Sequence, residues 1–201
     1  MLSSTKGRIQ RGPPPKKVLT DSNLRKYGLP ALERDFDNRC AYSMQHRSRA
    51  GGSGMLMEVD NFDPTIKGRD RHRYDNLFLA SRYCNGKKHG NWPSQEQQAL
   101  GIRFLNCCQE QDYGKHIFED PTTHHVLGVT PEGRYHVRML DLNAPHLVAE
   151  RRDRAEYHKL LFEERKIVKE SDAAIHAFHV LERQLQYMIP AILPPPTTPS
   201  A

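Results

Sequence analysis

The chain has 201 residues, 37% of them hydrophobic and 8% aromatic, and a formal charge of +6, which is room for one domain, or for one domain with an appendage. Its apolar runs are short, such as Leu77-Phe78-Leu79-Ala80, and its first residues have no apolar stretch like that of a signal peptide, so neither a bilayer span nor a secretory leader is expected. The four cysteines, Cys40, Cys84, Cys107 and Cys108, are too few and too scattered for a secreted disulfide framework. The expectation is a soluble, cytoplasmic protein with no membrane partner.

The charge is unevenly placed. Residues 1–30 hold seven Lys and Arg against the single acid Asp21, and the remaining chain has 23 basic and 23 acidic residues. A basic tail on a neutral body points to phosphate or an acidic partner near the N-terminus, and its plain alternative is a solvated arm.

In chain order, residues 1–21 form a basic arm whose Gly12-Pro13-Pro14-Pro15 should be extended and polyproline-like. Residues 22–37 read as a short helical lead-in, with Leu29-Pro30 as a break. Residues 49–54, with three glycines and a serine, read as a loop. Met55 to Val59 is a strand ending at Asp60, residues 63–73 a charged loop, and Asn76 to Ala80 a second apolar segment. Gly86 to Trp92 is polar and basic. Ser94 can cap a short helix through Gln98. His116 to Glu119, His125 to Val129 and Tyr135 to Met139 alternate as strands, with Pro131-Glu132-Gly133 as a turn between the last two. Asn143 can cap a charged helix to about Lys169. Ser171 can cap a final helix with a narrow apolar stripe at Ala174, Phe178, Leu181, Leu185 and Met188. Pro194 to Ala201 reads as a disordered tail.

Chemistry concentrates between Cys40 and Pro93. The pieces are Cys40-Ala41-Tyr42-Ser43, Glu58-Val59-Asp60-Asn61-Phe62-Asp63-Pro64, Tyr74-Asp75-Asn76-Leu77 and Cys84-Asn85-Gly86-Lys87-Lys88-His89. Each alone has an ordinary structural reading, as a strand end or a surface turn. Their order and spacing together resemble the HNH (ββα-metal) nucleases: a Cys-x-x-Cys knuckle, Glu-x-Asp-His-x-x-Pro, a central Asn before an apolar segment, and a second knuckle running into Asn-x-x-Lys. Further on, Lys115 to Phe118, the hairpin expected around Gly133, and Leu140-Asp141-Leu142-Asn143 with Leu147 and Arg151 are similar to the downstream half of one group, the HNH proteins related to the small nuclease subunit of the Septu anti-phage system. Lys6-Gly7-Arg8 and the Pro-rich segment before Leu19 are similar to its N-termini.

The resemblance implies an α+β protein: a ββα-metal module (core 40–93) inside a domain of residues 22–155, with a small β-hairpin region, then a C-terminal helical region over 156–190 and a tail from 191. It implies hydrolysis of phosphodiester bonds in DNA, with RNA left open, supported by Mg2+ or Mn2+ and by an ATPase partner subunit. By position, Asp60 would bind the metal, Asn85 would take the second ligand position, and His89, one helical turn on, would assist or replace it. Asn76 would fix the long loop. Arg71, Arg73, Lys87 and Lys88 would face the nucleic acid backbone, where cations give sequence-independent affinity. Tyr74 and Trp92 are expected to pack on the module.

Two departures from the pattern stand out, one at a single position and one at a pair. Asn61 stands where the family has its general-base histidine. An amide cannot take a proton from water, and this loss alone is worth roughly 100- to 10,000-fold in rate. A natural inactive relative, a substitute base among His46, His72 and His89, and a deliberately disabled nuclease all stay open. The second departure is that Ser43 and Ser81 stand where the family often has cysteines, so no structural zinc is expected from Cys40 and Cys84 alone. The competing reading is a non-catalytic nucleic-acid-binding or assembly subunit of an ATPase-containing defence complex.

Overall fold

The computed structural model describes residues 9–50 and 57–167. The final helix expected from Ser171, the Pro-rich tail and the first eight residues lie outside them. The architecture is α+β, with two small two-stranded antiparallel sheets and helices packed about them.

Residues 9–11 do not extend from the body. The Ile9 N–H donates to the Cys107 carbonyl at 2.8 Å. The Arg11 guanidinium donates to the carbonyls of Tyr74 (2.6 Å) and Leu77 (2.8 Å) and to Cys108 Sγ (3.2 Å), and it lies over the rings of Phe36 and Phe78. One cation of the arm is therefore a strap holding the N-terminal segment. The lead-in is helical without the expected break. A wide, π-type turn at Leu24–Gly28 passes straight into α1 (Leu29–Asp35). Pro30 sits in the first turn of α1, where its missing N–H leaves no bond unmade.

A tight hairpin-like turn follows, closed by the bridge between Arg39 and His46 and by Met44 at a positive φ of 62°. It is seated on the sheet by Ala41 N–H to the Leu79 carbonyl, 2.8 Å. β1 (Met57–Asn61) and β2 (Leu77–Ser81) pair antiparallel with Asp60 opposite Phe78. β2 is buried along its whole length, which is why it reads as an unbroken apolar run rather than an alternation. α2 (Arg82–Lys88) starts on the next residue, with Ser81 Oγ accepting from the Cys84 N–H as its cap. Strand, long loop, strand and helix thus follow one another without interruption. Ser94 caps α3 (Gln95–Ala99) in a reciprocal capping box with Gln97.

The second sheet pairs β3 (Ile117–Glu119) with β4 (Val126–Gly128). The third strand expected here, Tyr135 to Met139, is instead α4 (Pro131–Met139). Thr130 accepts from the Gly133 N–H and Pro131 is the first helical residue, so Thr130-Pro131-Glu132 is a helix start and not a turn. Gly133, Tyr135, His136 and Leu140 are buried. A Cβ on Gly133 would collide with the His116 carbonyl, and one on Gly128 with the backbone of Arg134; these two glycines let α4 lie directly on the hairpin.

α5 (Pro145–Ile167) begins after the expected cap and runs through residues 155 and 156. Asn143 does not cap it. Its side chain pairs with both backbone groups of Val126, at 2.7 and 3.0 Å. Arg151, 2% exposed, ties α5 to the hairpin through the His124 carbonyl (2.6 Å) and to the turn after α4 through the Leu142 carbonyl (2.9 Å). One apolar core joins the two halves, running from Leu32, Phe36 and Phe78 through Phe104 to Ile117, Leu140 and Leu147. Among the described residues no helix is long and apolar enough to cross a membrane.

Candidate functional site

The candidate site lies where α2 crosses β1. Glu58 and Asp60 are two apart on a strand and so leave the same face. Asn85 and Lys88 are three apart on a helix and share a side. The two spacings match. Asn85 Nδ2 donates to Glu58 Oε2 at 2.8 Å, and Arg82 Nε to Glu58 Oε1 at 2.7 Å. Lys88 Nζ lies 3.0 Å from Asp60 Oδ1 and 2.9 Å from Oδ2, and donates to the Asn61 carbonyl at 2.8 Å. The ammonium also lies over the rings of Phe62 and Trp92, where the faces of both add cation–π attraction.

Lys88 is 5% exposed. This corrects the expectation that it faces nucleic acid: its charge is spent inside the protein. Asp60 receives a second donor, the Tyr42 hydroxyl from the turn before β1. Burial pushes the Asp60 carboxyl up from its usual range, and Lys88 and Tyr42 pull it back only in part.

Asn61 follows on the strand end. Its Oδ1 is buried and accepts no hydrogen bond from another protein group, and a buried acceptor without a donor costs about 1–3 kcal/mol. None of the three histidines considered as a substitute base bonds to Asp60 or Asn61. His46 Nδ1 pairs with Ser48 Oγ at 2.8 Å. His72 is buried with Nε2 3.3 Å from Asp21. His89 is exposed at the C-terminal end of α2.

Asn76 spans the loop between β1 and β2. Its Oδ1 accepts from the Asp63 N–H at 2.8 Å, and its Nδ2 donates to the carbonyls of Arg71 (3.1 Å) and Asp63 (3.3 Å). The three other expected phosphate-facing cations are at the surface, each beside an acid: Arg71 on Asp21 (2.7 Å), Arg73 on Asp75 (2.6 Å) and Lys87 on Asp141 (2.8 Å). Tyr74 and Trp92 pack, Tyr74 through its hydroxyl to Asp35 (2.8 Å) and Trp92 edge-on to Phe62.

A hard divalent cation takes about six oxygen ligands, carboxylates foremost. Here Asp60 is the one carboxylate in place and both its oxygens are engaged, Glu58 and Asn85 hold each other, and the orphan Asn61 Oδ1 is one donor atom, not a set. Among the described residues no three of His, Cys, Asp and Glu group closely enough to hold a metal ion. The side chains as arranged do not fit a resident divalent metal.

The four knuckle positions do converge. Cys40, Ser43, Ser81 and Cys84 are all buried. Burial resists ionisation of Cys40, but donors from Cys84, Ser43 and Ser81 outweigh it and hold this thiol at about 5, while the neighbouring Cys84 is kept protonated, well above its usual range.

Two residues carry the site without having been singled out from the sequence. Tyr42 gave no signal beyond its place in the knuckle. Glu58 could have been found from its alternation with Asp60. No family model, no curated protein and no solved structure matches the chain.

Proposed function

We propose that the chain carries an HNH-type (ββα-metal) endonuclease module whose hydrolytic step is disabled, and that it serves as a nucleic-acid-binding or assembly subunit in an ATPase-containing anti-phage defence complex. The observation that carries the reading is the pairing at the strand end. Asn61, which cannot act as a base, stands beside Asp60, whose carboxylate is closed by Lys88 and Tyr42. The strand–loop–strand–helix order and the cross-tie of the loop by Asn76 support the nuclease ancestry. The electrostatic share of binding would come from the exposed Lys16, Lys17, Arg69 and Arg73, with DNA as the first ligand to test.

A second reading is a nuclease silenced at one position, and the loop-fixing geometry of Asn76 favours it. One experiment separates the two. The wild type and Asn61→His are compared for nicking of supercoiled plasmid with Mg2+ or Mn2+, and for DNA affinity between 50 and 200 mM salt. The first reading expects no nicking by either protein and an affinity that falls by roughly 10-fold or more over that range, as release of counterions from several phosphates requires. Strong nicking by Asn61→His alone establishes the second reading. Affinity indifferent to salt defeats nucleic-acid binding in both.

A further inference from the structure

We propose that the groove between α4 and the outer edge of β4 is a phosphate site that takes the backbone of a single nucleic acid strand. The groove, about 410 Å3 in volume, has Gly128 of β4 on one side and Arg134 and Arg138 of α4 on the other, with Asp141 and Asn143 from the turn that follows α4. In an antiparallel strand, alternate residues turn their backbone groups to the partner. Here the His125 carbonyl accepts from Asp120 and the Val129 N–H donates to His116, so Val126 and Gly128 face away from β3. Asn143 takes both backbone groups of Val126, and Gly128 turns its N–H to the same side.

Arg134 and Arg138 are four apart on α4, so they share a face about 6 Å apart along the axis. Both are exposed. Arg134 gives one N–H to the Val129 carbonyl at 3.2 Å. Among the described residues neither guanidinium forms an ion pair, whereas Arg71, Arg73 and Lys87 each sit on an acid. The acceptors of the groove are already used. Asp141 is held by the Tyr83 hydroxyl at 2.6 Å and by Lys87 at 2.8 Å, and Asn143 Oδ1 accepts from the Val126 N–H and from Arg151. The groove therefore offers donors, two guanidinium forks and a backbone N–H, and its ligand must bring acceptors and negative charge. Carboxylates and phosphates both match the arginine fork; the nucleic-acid reading above, on which this assignment rests, selects phosphate. No ring lines the groove, so bases have nothing to stack on there and the contact is with the backbone, independent of sequence.

The test follows a fluorescent single-stranded oligonucleotide of about 20 residues binding to the full chain, by anisotropy, as salt is varied. Arg134→Ala with Arg138→Ala should weaken binding by on the order of 10- to 30-fold at about 100 mM salt, and flatten the slope of log K against log salt by about 1.4, the loss of two single-strand phosphate contacts. Both side chains are exposed, so Tm should stay within a few degrees of the wild type. Arg25→Ala with Lys26→Ala removes the same charge from the exposed turn before α1 and should weaken binding by less than roughly 3-fold, as a screened, distant field does. Should the alanine pair fail to fold, glutamine at both positions keeps the length of the side chains and is expected to show the same loss. If the wild type binds with salt dependence and the groove pair binds no more weakly than the Arg25 and Lys26 pair, the site is overturned and the nucleic-acid reading stands. If the wild type binds no strand, both fall. Binding of poly-glutamate that the groove pair loses, while strand binding is unchanged, also overturns the site and gives the groove to an acidic protein segment.

Discussion

Asn76 shows how much one side chain can do when it is buried and uses every polar atom. It closes the loop from Phe62 to Asp75 by accepting one backbone N–H and donating to two carbonyls. Asn76→Ala strands those groups, so a loss of about 2–3 kcal/mol is expected in urea unfolding. Hydrogen exchange should accelerate at residues 63–73 and change little in β2. A uniform rise in exchange would assign Asn76 to general stability rather than to the loop. The loop-fixing place of Asn76 came from the resemblance alone, because an Asn ahead of an apolar strand reads by itself as an ordinary turn. The inward turn of Lys88 was not legible in the sequence. Its neighbours Lys87 and His89 are exposed, and nothing in Asn85-Gly86-Lys87-Lys88 tells which lysine turns inward; that depends on the docking of α2 against β1.

At the scale of elements, the turn around Cys40 to Gln45 and the start of α2 are two pieces that meet at four buried positions, Cys40, Ser43, Ser81 and Cys84. Zinc wants four ligands in a closed site. Replacing Ser43 and Ser81 together by cysteine should therefore create a four-thiolate site. Ser81 is the cap of α2, so the metal-free double variant is expected to lose about 1 kcal/mol. With metal it should bind one Zn2+ and be stabilised, and Co2+ in its place should give thiolate charge-transfer absorption. If the double variant shows no such absorption while remaining folded, the four positions do not converge tightly enough for a shared ion. The element read wrongly was α4. Tyr135, Val137 and Met139 alternate as a strand would, but Thr130 and Pro131 start a helix, and Gly133 admits its backbone onto His116. A period of two over a few residues yielded to capping chemistry and to the space that the hairpin leaves.

Across the whole molecule, the basic N-terminal segment divides into two parts. Lys16 and Lys17 are exposed, whereas Arg11 reaches the carbonyls of Tyr74 and Leu77 at the start of β2. Arg11→Ala is expected to cost about 2–3 kcal/mol, because two carbonyls lose their donor and the rings of Phe36 and Phe78 lose the cation over them. Lys16→Ala should stay within about 0.5 kcal/mol. Urea midpoints of the two variants check this, and equal midpoints would mean that the Arg11 contacts carry no net stability. The sequence by itself determined the apolar segments that form β1 and β2, the capped helix after Ser94, and the strands β3 and β4 but not their pairing, since these follow from apolar spacing and caps. Only the tertiary structure decided which charges are free and which are consumed. Arg11, Lys88, Arg151 and Asp60 are each satisfied by groups far away in the chain, and a buried charge is settled by the partners that folding brings to it rather than by its neighbours in sequence.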